Sequence, residues 1–294
     1  MTAIISAKNV SKKFGTKLAL NNINFTVPEG SVLGLIGPNG AGKTTLLKGV
    51  LGLADVEGDL QVLGMNPHKE RVALLEQVSF IADTATLPRW MRVENLLDYV
   101  AGVHARFNRE KCRGFLAKTN IDPKSKVKEL SKGMVTQLHL ALIMAIDSKL
   151  LVLDEPTLGL DIIYRKQFYE SLLNDYYDEK KTIVITTHQI EEIEGVLTDL
   201  MFINKGEIVL DVSMEAILDQ FVELQVDADK KAEALALGPI HIRNRLGGCS
   251  LIYENPDRTK LQTLGKMLTP SLADLFVAKI QPQTAQAAKD TQGE

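Results

Sequence analysis

The sequence predicts an α/β fold: a mixed or parallel sheet with helices, an inserted helical subdomain, and a small α+β appendage on the C-terminal side. Three observations carry that reading: apolar runs of strand length, a stretch of purely helical periodicity between them, and a change of pattern after Phe221. The runs Val32-Leu33-Gly34-Leu35-Ile36, Leu150-Leu151-Val152-Leu153 and Thr182-Ile183-Val184-Ile185-Thr186 are almost unbroken. Such continuity suits strands covered on both faces, as in a parallel sheet.

Taken in order, residues 4–221 alternate short apolar runs with amphipathic stretches, the pattern of strands alternating with helices. Within them, residues 84–146 form the predicted helical subdomain; Val93, Leu96, Leu97, Val100 and Val103 recur at helical spacing. Residues 222–280 hold short alternating pieces, such as Val222-Glu223-Leu224-Gln225-Val226 and Ser250-Leu251-Ile252-Tyr253. They read as a small accessory domain. Residues 281–294 are polar and rich in Ala and Gln, and are expected to fray as a disordered tail.

Composition narrows the function. The 294 residues carry a formal charge of −3, with 45% hydrophobic and 24% charged side chains, which excludes disordered and collagen-like classes. The near-neutral balance offers no bulk charge to hold a nucleic acid. No apolar stretch approaches the roughly 20 residues that a membrane-spanning helix needs. The first residues show no basic region followed by an apolar core, so no secretory signal is expected. Cys112 and Cys249 lie far apart without metal-ligand spacing and read as reduced thiols of a cytoplasmic protein.

Chemistry concentrates in three places. Gly37-Pro38-Asn39-Gly40-Ala41-Gly42-Lys43-Thr44, followed by Thr45, fits G-x-x-x-x-G-K-[ST] between a predicted strand and a predicted helix. Glycines let successive backbone N–H groups converge on one anion, and the helix beginning near Lys43 adds its free N–H groups and positive dipole end. Lys43 would then reach the β- and γ-phosphates of a nucleoside triphosphate, with the Thr44 hydroxyl on Mg²⁺.

Second, the run 150–153 ends in Asp154-Glu155. A carboxylate at the tip of a buried strand can hold the metal opposite the phosphates, and its neighbour can polarise an attacking water. Either acid alone reads equally as a solvated strand end. Third, His188 follows the strand ending at Thr186-Thr187. On spacing alone it serves as a catalytic or as a structural histidine.

Phosphate loop, acidic strand end and strand-end His, in this order, resemble the ATP-binding cassette (ABC) ATPases. Leu130-Ser131-Lys132-Gly133-Met134 stands where that family carries its LSGGQ signature, just before 150–155. Pro156-Thr157-Leu158-Gly159-Leu160-Asp161 resembles the family's D-loop, and Thr198-Asp199 with Asn204-Lys205-Gly206 its closing strands. The resemblance covers roughly residues 4–220. It implies a P-loop NTPase core that hydrolyses ATP with Mg²⁺. Residues Phe14, Gly37, Asn39, Gly40, Ala41, Gly42, Lys43, Thr44, Thr45, Ser131, Gly133 and Asp161 would stand around nucleotide, and Thr44, Asp83 and Asp154 around the metal. Glu155 and His188 would be catalytic. Phe14 would stack on adenine; read by itself, it equally plugs the edge of a core. Ser131 is a good N-cap for a helix over 132–146, and in the family that terminus meets the γ-phosphate held by a second cassette. Two cassettes thus close head to tail around two nucleotides.

Two positions depart from the family pattern. Lys132 replaces the first glycine of the signature pair and Met134 its Gln, while Gly133 is kept. Asp83 stands where the strand 78–83 ends in Gln in the family. A carboxylate ligates Mg²⁺ at least as well as an amide but repels γ-phosphate when the metal is absent. Asp83 also suits a plain cap of the turn into Leu87-Pro88.

The resemblance further implies a separate membrane-spanning subunit, a second ABC subunit, and a peripheral place on the inner face of the cell membrane. The region Asp83–Asn95, with Trp90 and Met91, would face the membrane subunit. Pro270-Ser271-Leu272-Ala273-Asp274-Leu275-Phe276 is similar to the tails of bacterial drug, antibiotic or export ATPase subunits. Two alternatives are an ABC-type ATPase acting on DNA or the ribosome, and a nucleotide-gated module with weak turnover. Against the first, the stretch between Lys43 and Ser131 leaves room only for a small helical insert, and no basic patch stands out. Against the second, Glu155 and His188 are both in place.

Asp83 generates a test: Asp83→Gln should relax the Mg²⁺ requirement of ATP hydrolysis, and an unchanged Mg²⁺ titration counts against a metal role.

Overall fold

A computed structural model describes residues 3–81 and 87–281. They divide into two compact units, 3–197 with Ile203–Ile208, and Thr198–Phe202 with 209–281.

In the first unit, β1 (Ala3–Phe14) and β2 (Lys17–Pro28) form a long antiparallel hairpin closed by Phe14 opposite Lys17. On β2, Ile23, Phe25 and Val27 are buried while Asn24 and Thr26 are exposed, the period-two pattern of a strand with one covered face. Next come β3 (Val32–Ile36), α1 (Lys43–Val50), and β4 (Glu57–Val62), which pairs with β1 to give the antiparallel order β2-β1-β4. α2 (Arg71–Leu75) and β5 (Val78–Ile81) follow.

Helices α3 (Val93–Val103), α4 (Arg109–Leu116) and α5 (Lys132–Met144) then run without an intervening strand. α3 buries Val93, Leu96 and Leu97 and leaves Val103 exposed, so its apolar stripe is narrower than the spacing predicts. Side chains cap two of the three helices: Asn108 Oδ1 accepts from Lys111 N–H at 2.9 Å, and Ser131 Oγ from Met134 N–H at 3.2 Å. After α5 come β6 (Leu150–Asp154), α6 (Ile162–Ser171), which a short π-helical stretch over Leu172–Tyr176 continues, β7 (Thr182–Thr187) and α7 (Ile190–Ile193).

The apolar runs become a parallel sheet in the order β5-β6-β7-β3. Every residue of β3, β6 and β7 is buried. That explains why these strands read as continuous rather than alternating hydrophobic runs. Register aligns their C-terminal ends. Asp154 stands opposite Thr186, and Ile36 opposite Thr187.

β8 (Asp199–Asn204) and β9 (Glu207–Ser213), whose residues Ile203–Ile208 belong to the first unit, lead to α8 (Met214–Gln220) of the second, capped by Ser213 Oγ accepting from Ala216 N–H at 3.1 Å. Then follow β10 (Phe221–Asp227), α9 (Lys231–Leu235), β11 (His241–Arg245), β12 (Gly248–Glu254), α10 (Arg258–Gln262), β13 (Lys266–Leu268) and α11 (Leu272–Ile280). The β-α-β-β-α-β succession with antiparallel sheet order β11-β12-β10-β13 is the split β-α-β arrangement. The two alternating pieces noted in the sequence are β10 and β12. Val222, Leu224 and Val226 pack with Cys249, Leu251 and Tyr253, with Ala234 of α9 and Leu261 of α10, and with Leu264 in the turn before β13. α11 is tied by Asp274 to Arg243 at 2.7 Å and by Lys279 to Glu254 at 2.8 Å. No described helix is long and apolar enough to cross a membrane.

Leu151 is the second residue of β6 and is fully buried. Leu151→Ala leaves a cavity that the sheet cannot close and should cost about 2–5 kcal/mol, read as a lowered urea midpoint of the first unit.

Candidate nucleotide-binding site

The loop 37–42 joins the end of β3 to α1, and its conformation follows from its glycines. A Cβ on Gly37 would stand 2.3 Å from the carbonyl oxygen of Ile203, so a larger residue would push the loop off the sheet. Gly42 has φ +117°, a region open to glycine, and is the N-cap of α1 without a side-chain cap. The first intrahelical bond runs from Leu46 N–H to Gly42 C=O at 2.8 Å. The N–H groups of Lys43, Thr44 and Thr45 therefore precede it, the free donors that make a helix N-terminus attract phosphate.

Lys43 folds back over this loop. It is buried, and Nζ donates to the carbonyl oxygens of Gly37 at 2.6 Å and Pro38 at 3.4 Å. Burial pushes its pKa below the ordinary lysine value, while the charges of Glu155 and Asp154 pull it back up. The ammonium is thus held by two carbonyl oxygens within the field of two carboxylates.

Parallel register brings the acids to the same edge. Asp154, also buried, accepts from Thr44 Oγ1 at 3.0 Å through one oxygen and from Thr186 Oγ1 at 2.5 Å through the other. Thr186 is a site residue that sequence reasoning missed. Its only signal was its place at the end of an apolar run, because its role depends on standing opposite Asp154 across β6 and β7.

The next residue, Glu155, has φ +50°, unusual for a side chain with a Cβ. Its N–H donates to Thr186 O at 3.1 Å and Oγ1 at 3.2 Å, which holds this conformation. Strain of this kind costs on the order of 1–3 kcal/mol and persists where the surroundings over-determine it. His188 leaves the end of β7 and places Nδ1 2.8 Å from Glu155 Oε2. With the carboxylate ionised, Nδ1–H donates, and the other ring nitrogen is an acceptor in the neutral imidazole and a donor in the imidazolium.

Phe14, Lys17, Ala19, residues 39–45, Asp154 and Glu155 line a cavity of about 300 Å³; Gly37, Thr186 and His188 do not line it. Phe14 sits at its rim, 55% exposed, with Lys12 Nζ 5.4 Å from its ring centre. An exposed aromatic face at the mouth of a phosphate cradle can stack on a base, the first of the two readings open to it. Lys17, across the hairpin from Phe14, is a second cation at the rim that no motif announced.

Three residues from the sequence reading stand elsewhere within this chain. Ser131 caps α5, and Gly133 lies in its first turn with an added Cβ 3.4 Å from Gly159 O. Asp161 caps α6, its Oδ1 accepting from Ile163 and Tyr164 N–H at 3.0 and 3.1 Å. None of the three lines the cavity around Lys43. Asp83 lies outside the described residues. Trp90 is 72% exposed and Met91 partly buried.

The Thr44 hydroxyl and Asp154 carboxylate fit Mg²⁺. They are hard oxygen donors 3.0 Å apart, and Mg²⁺ is characteristically held by one or two carboxylates together with substrate phosphates and waters.

Fold and site together define a nucleoside-triphosphate-binding α/β domain. A family model described as "ABC transporter" matches residues 20–158. The Nod factor export ATP-binding protein I of Sinorhizobium fredii is 32% identical over 292 residues, spanning 93% of this chain and 84% of the relative. An uncharacterized ABC transporter ATP-binding protein of Bacillus subtilis is 29% identical over 290 residues, spanning 96% of this chain and 92% of the relative. Among solved structures, an ATP-binding subunit of an ABC transporter superposes with TM-score 0.67 at 22% identity, covering 73% of this chain and 91% of the other. A dimeric bacterial ABC transporter cassette superposes with TM-score 0.62 at 21% identity, covering 71% and 98%. The chain belongs to the ABC transporter family, as an ATP-hydrolysing ATP-binding subunit.

Lys43→Ala should lower nucleotide affinity about tenfold or more, because a charge-assisted contact to phosphate is lost in a buried site. Titration with a fluorescent ATP analogue measures it, with a circular dichroism spectrum unchanged from wild type.

Proposed function

We propose that this chain powers export through a separately encoded membrane-spanning subunit, hydrolysing Mg²⁺-ATP where two ABC subunits close head to tail. Residues 4–221 form the ATPase domain in this reading and residues 222–280 an accessory domain. Its place is peripheral, on the cytoplasmic face of the cell membrane. The named export function of the Sinorhizobium relative supports the direction, and the dimeric cassette among the structural neighbours supports the pairing.

The observation that carries the chemistry is the Glu155–His188 contact of 2.8 Å, set beside a cavity lined by the phosphate loop and Asp154. Residues 39–45 cradle the phosphates through backbone N–H groups, and Lys43 turns from the Gly37 and Pro38 carbonyls to the β- and γ-oxygens. Phe14 stacks on the adenine. Thr44 and Asp154 would hold Mg²⁺, with Asp83 completing the set directly or through water; bound there, the metal would supply charge neutralisation of the triphosphate. Glu155 orients the attacking water and accepts its proton, and His188 fixes the carboxylate through Nδ1–H and, when both ring nitrogens are protonated, donates Nε2–H to the γ-phosphate. Ser131, Gly133 and Asp161 complete the nucleotide site of the facing subunit. Their position away from this chain's own cavity accords with that role. Lys132 brings a positive charge to the same helix terminus.

Glu155→Gln separates binding from chemistry. The variant should bind ATP with wild-type affinity, hydrolyse it on the order of a hundredfold more slowly, and accumulate a closed dimer on size-exclusion chromatography with ATP. Wild-type turnover in this variant overturns the assignment.

A further inference from the structure

We propose that Arg165 is a positioning residue: its guanidinium ties the loop leaving Glu155 to the segment leaving His188 and so holds these two side chains in register. The proposal rests on the reading that Glu155 and His188 carry out hydrolysis, and it adds a residue that no motif of the sequence marked.

Arg165 lies one turn into α6, and its side chain is 20% exposed. Nε donates to the carbonyl oxygen of Leu160 at 2.8 Å, in the loop between Glu155 and Asp161. The other end of the guanidinium donates to Glu192 Oε1 at 2.8 Å and to the side-chain oxygen of Gln189, the residue after His188. One rigid, planar group therefore joins both sides of the Glu155–His188 pair.

Each end of this tie is coupled to the pair through short backbone links. On one side, Leu158 N–H donates to Glu155 O at 3.2 Å and Leu160 N–H to Thr157 O at 3.1 Å, so the Leu160 carbonyl stands two tight turns from Glu155. On the other, Gln189 N–H donates to Thr187 Oγ1 at 3.0 Å, which fixes the exit from β7 around His188. With the 2.8 Å contact between His188 and Glu155, the links close into a ring. A ring of this kind restrains the carboxylate–imidazole geometry far more than the single contact between two side chains on separate loops. A pairing whose only purpose was to attach α7 would need Glu192 alone. Arg165 instead directs Nε at a backbone carbonyl of the acid loop.

Lysine cannot replace this arrangement, since one ammonium cannot present donors in two fixed directions. Misplacement of reacting groups by about 1 Å can cost as much as a hundredfold in rate. Full-length Arg165→Lys and Arg165→Ala should therefore lose about ten- to hundredfold in kcat, with KM and Kd for ATP changed less than about twofold, because the phosphate cradle is untouched. In a His188→Ala background, Arg165→Ala should add less than about a twofold further loss, since two residues acting through one geometry are not additive.

Gln189→Ala with Glu192→Gln strips the acceptors while leaving Arg165 in place, and keeps the test decisive if Arg165→Ala does not fold. That pair should lose kcat in the same direction at an unchanged melting temperature. Wild-type kcat in Arg165→Lys or in the Gln189/Glu192 pair overturns the proposal. So does a full multiplicative loss in the His188→Ala background. If Glu155→Gln and His188→Ala themselves turn over at the wild-type rate, the catalytic reading falls and this inference with it. If they are inactive while Arg165→Ala is unaffected, only this inference falls.

Discussion

The site depends above all on the in-register parallel pairing of β6, β7 and β3. Asp154 stands opposite Thr186 and Ile36 opposite Thr187, so the acid pair, the histidine and the phosphate loop all leave the sheet from one edge. A register slip of one residue turns each side chain to the other face of its strand. It would separate Asp154 from Thr44 and Thr186 together. The three strands are buried on both faces, so such a slip would have to repack the close-packed aliphatic side chains on both faces at once. Ligand sites form beyond the C-terminal ends of parallel strands for this geometric reason.

At that edge the electrostatics are balanced in the free protein. Lys43 gives up hydration on burial and recovers part of it from two backbone carbonyls and the nearby carboxylates. Asp154 accepts from two hydroxyls, with the charge of Lys43 nearby. A metal-bound triphosphate complements both groups at once, with anionic oxygens for Lys43 and a cation for Asp154. Glu155 differs from its neighbour. Its left-handed backbone, anchored on Thr186, turns its side chain to His188 instead of letting it continue the strand's alternation.

Much of this was legible beforehand because it is local. The loop 37–44 needs only its own glycines and the helix after it, and Ser131 and Asp161 cap their helices by bonds within three residues. The helical character of 93–144 follows from spacing along one chain segment. Thr186 was not legible, since a threonine closing a buried strand has no distinguishing neighbour. Nor was Arg165, whose partners Leu160, Gln189 and Glu192 lie on two separate segments, one before α6 and one at α7. The second unit read as α+β, but its strand order was hidden, because β11 and β13 become the two edges only through long-range pairing.

The sequence alone determined the chemistry on offer: a glycine-bent cradle with a lysine, a strand ending in two acids, a strand followed by a histidine, and a capped helix bearing the signature. Covalent order and short-range backbone geometry suffice for each of these. Tertiary structure decided which of them meet. It put Thr44 on Asp154 and His188 on Glu155, and it left Ser131, Gly133 and Asp161 outside the cavity. Those outcomes depend on hydrogen bonds between strands and loops far apart in the chain, formed only when burial of the sheet selects one register.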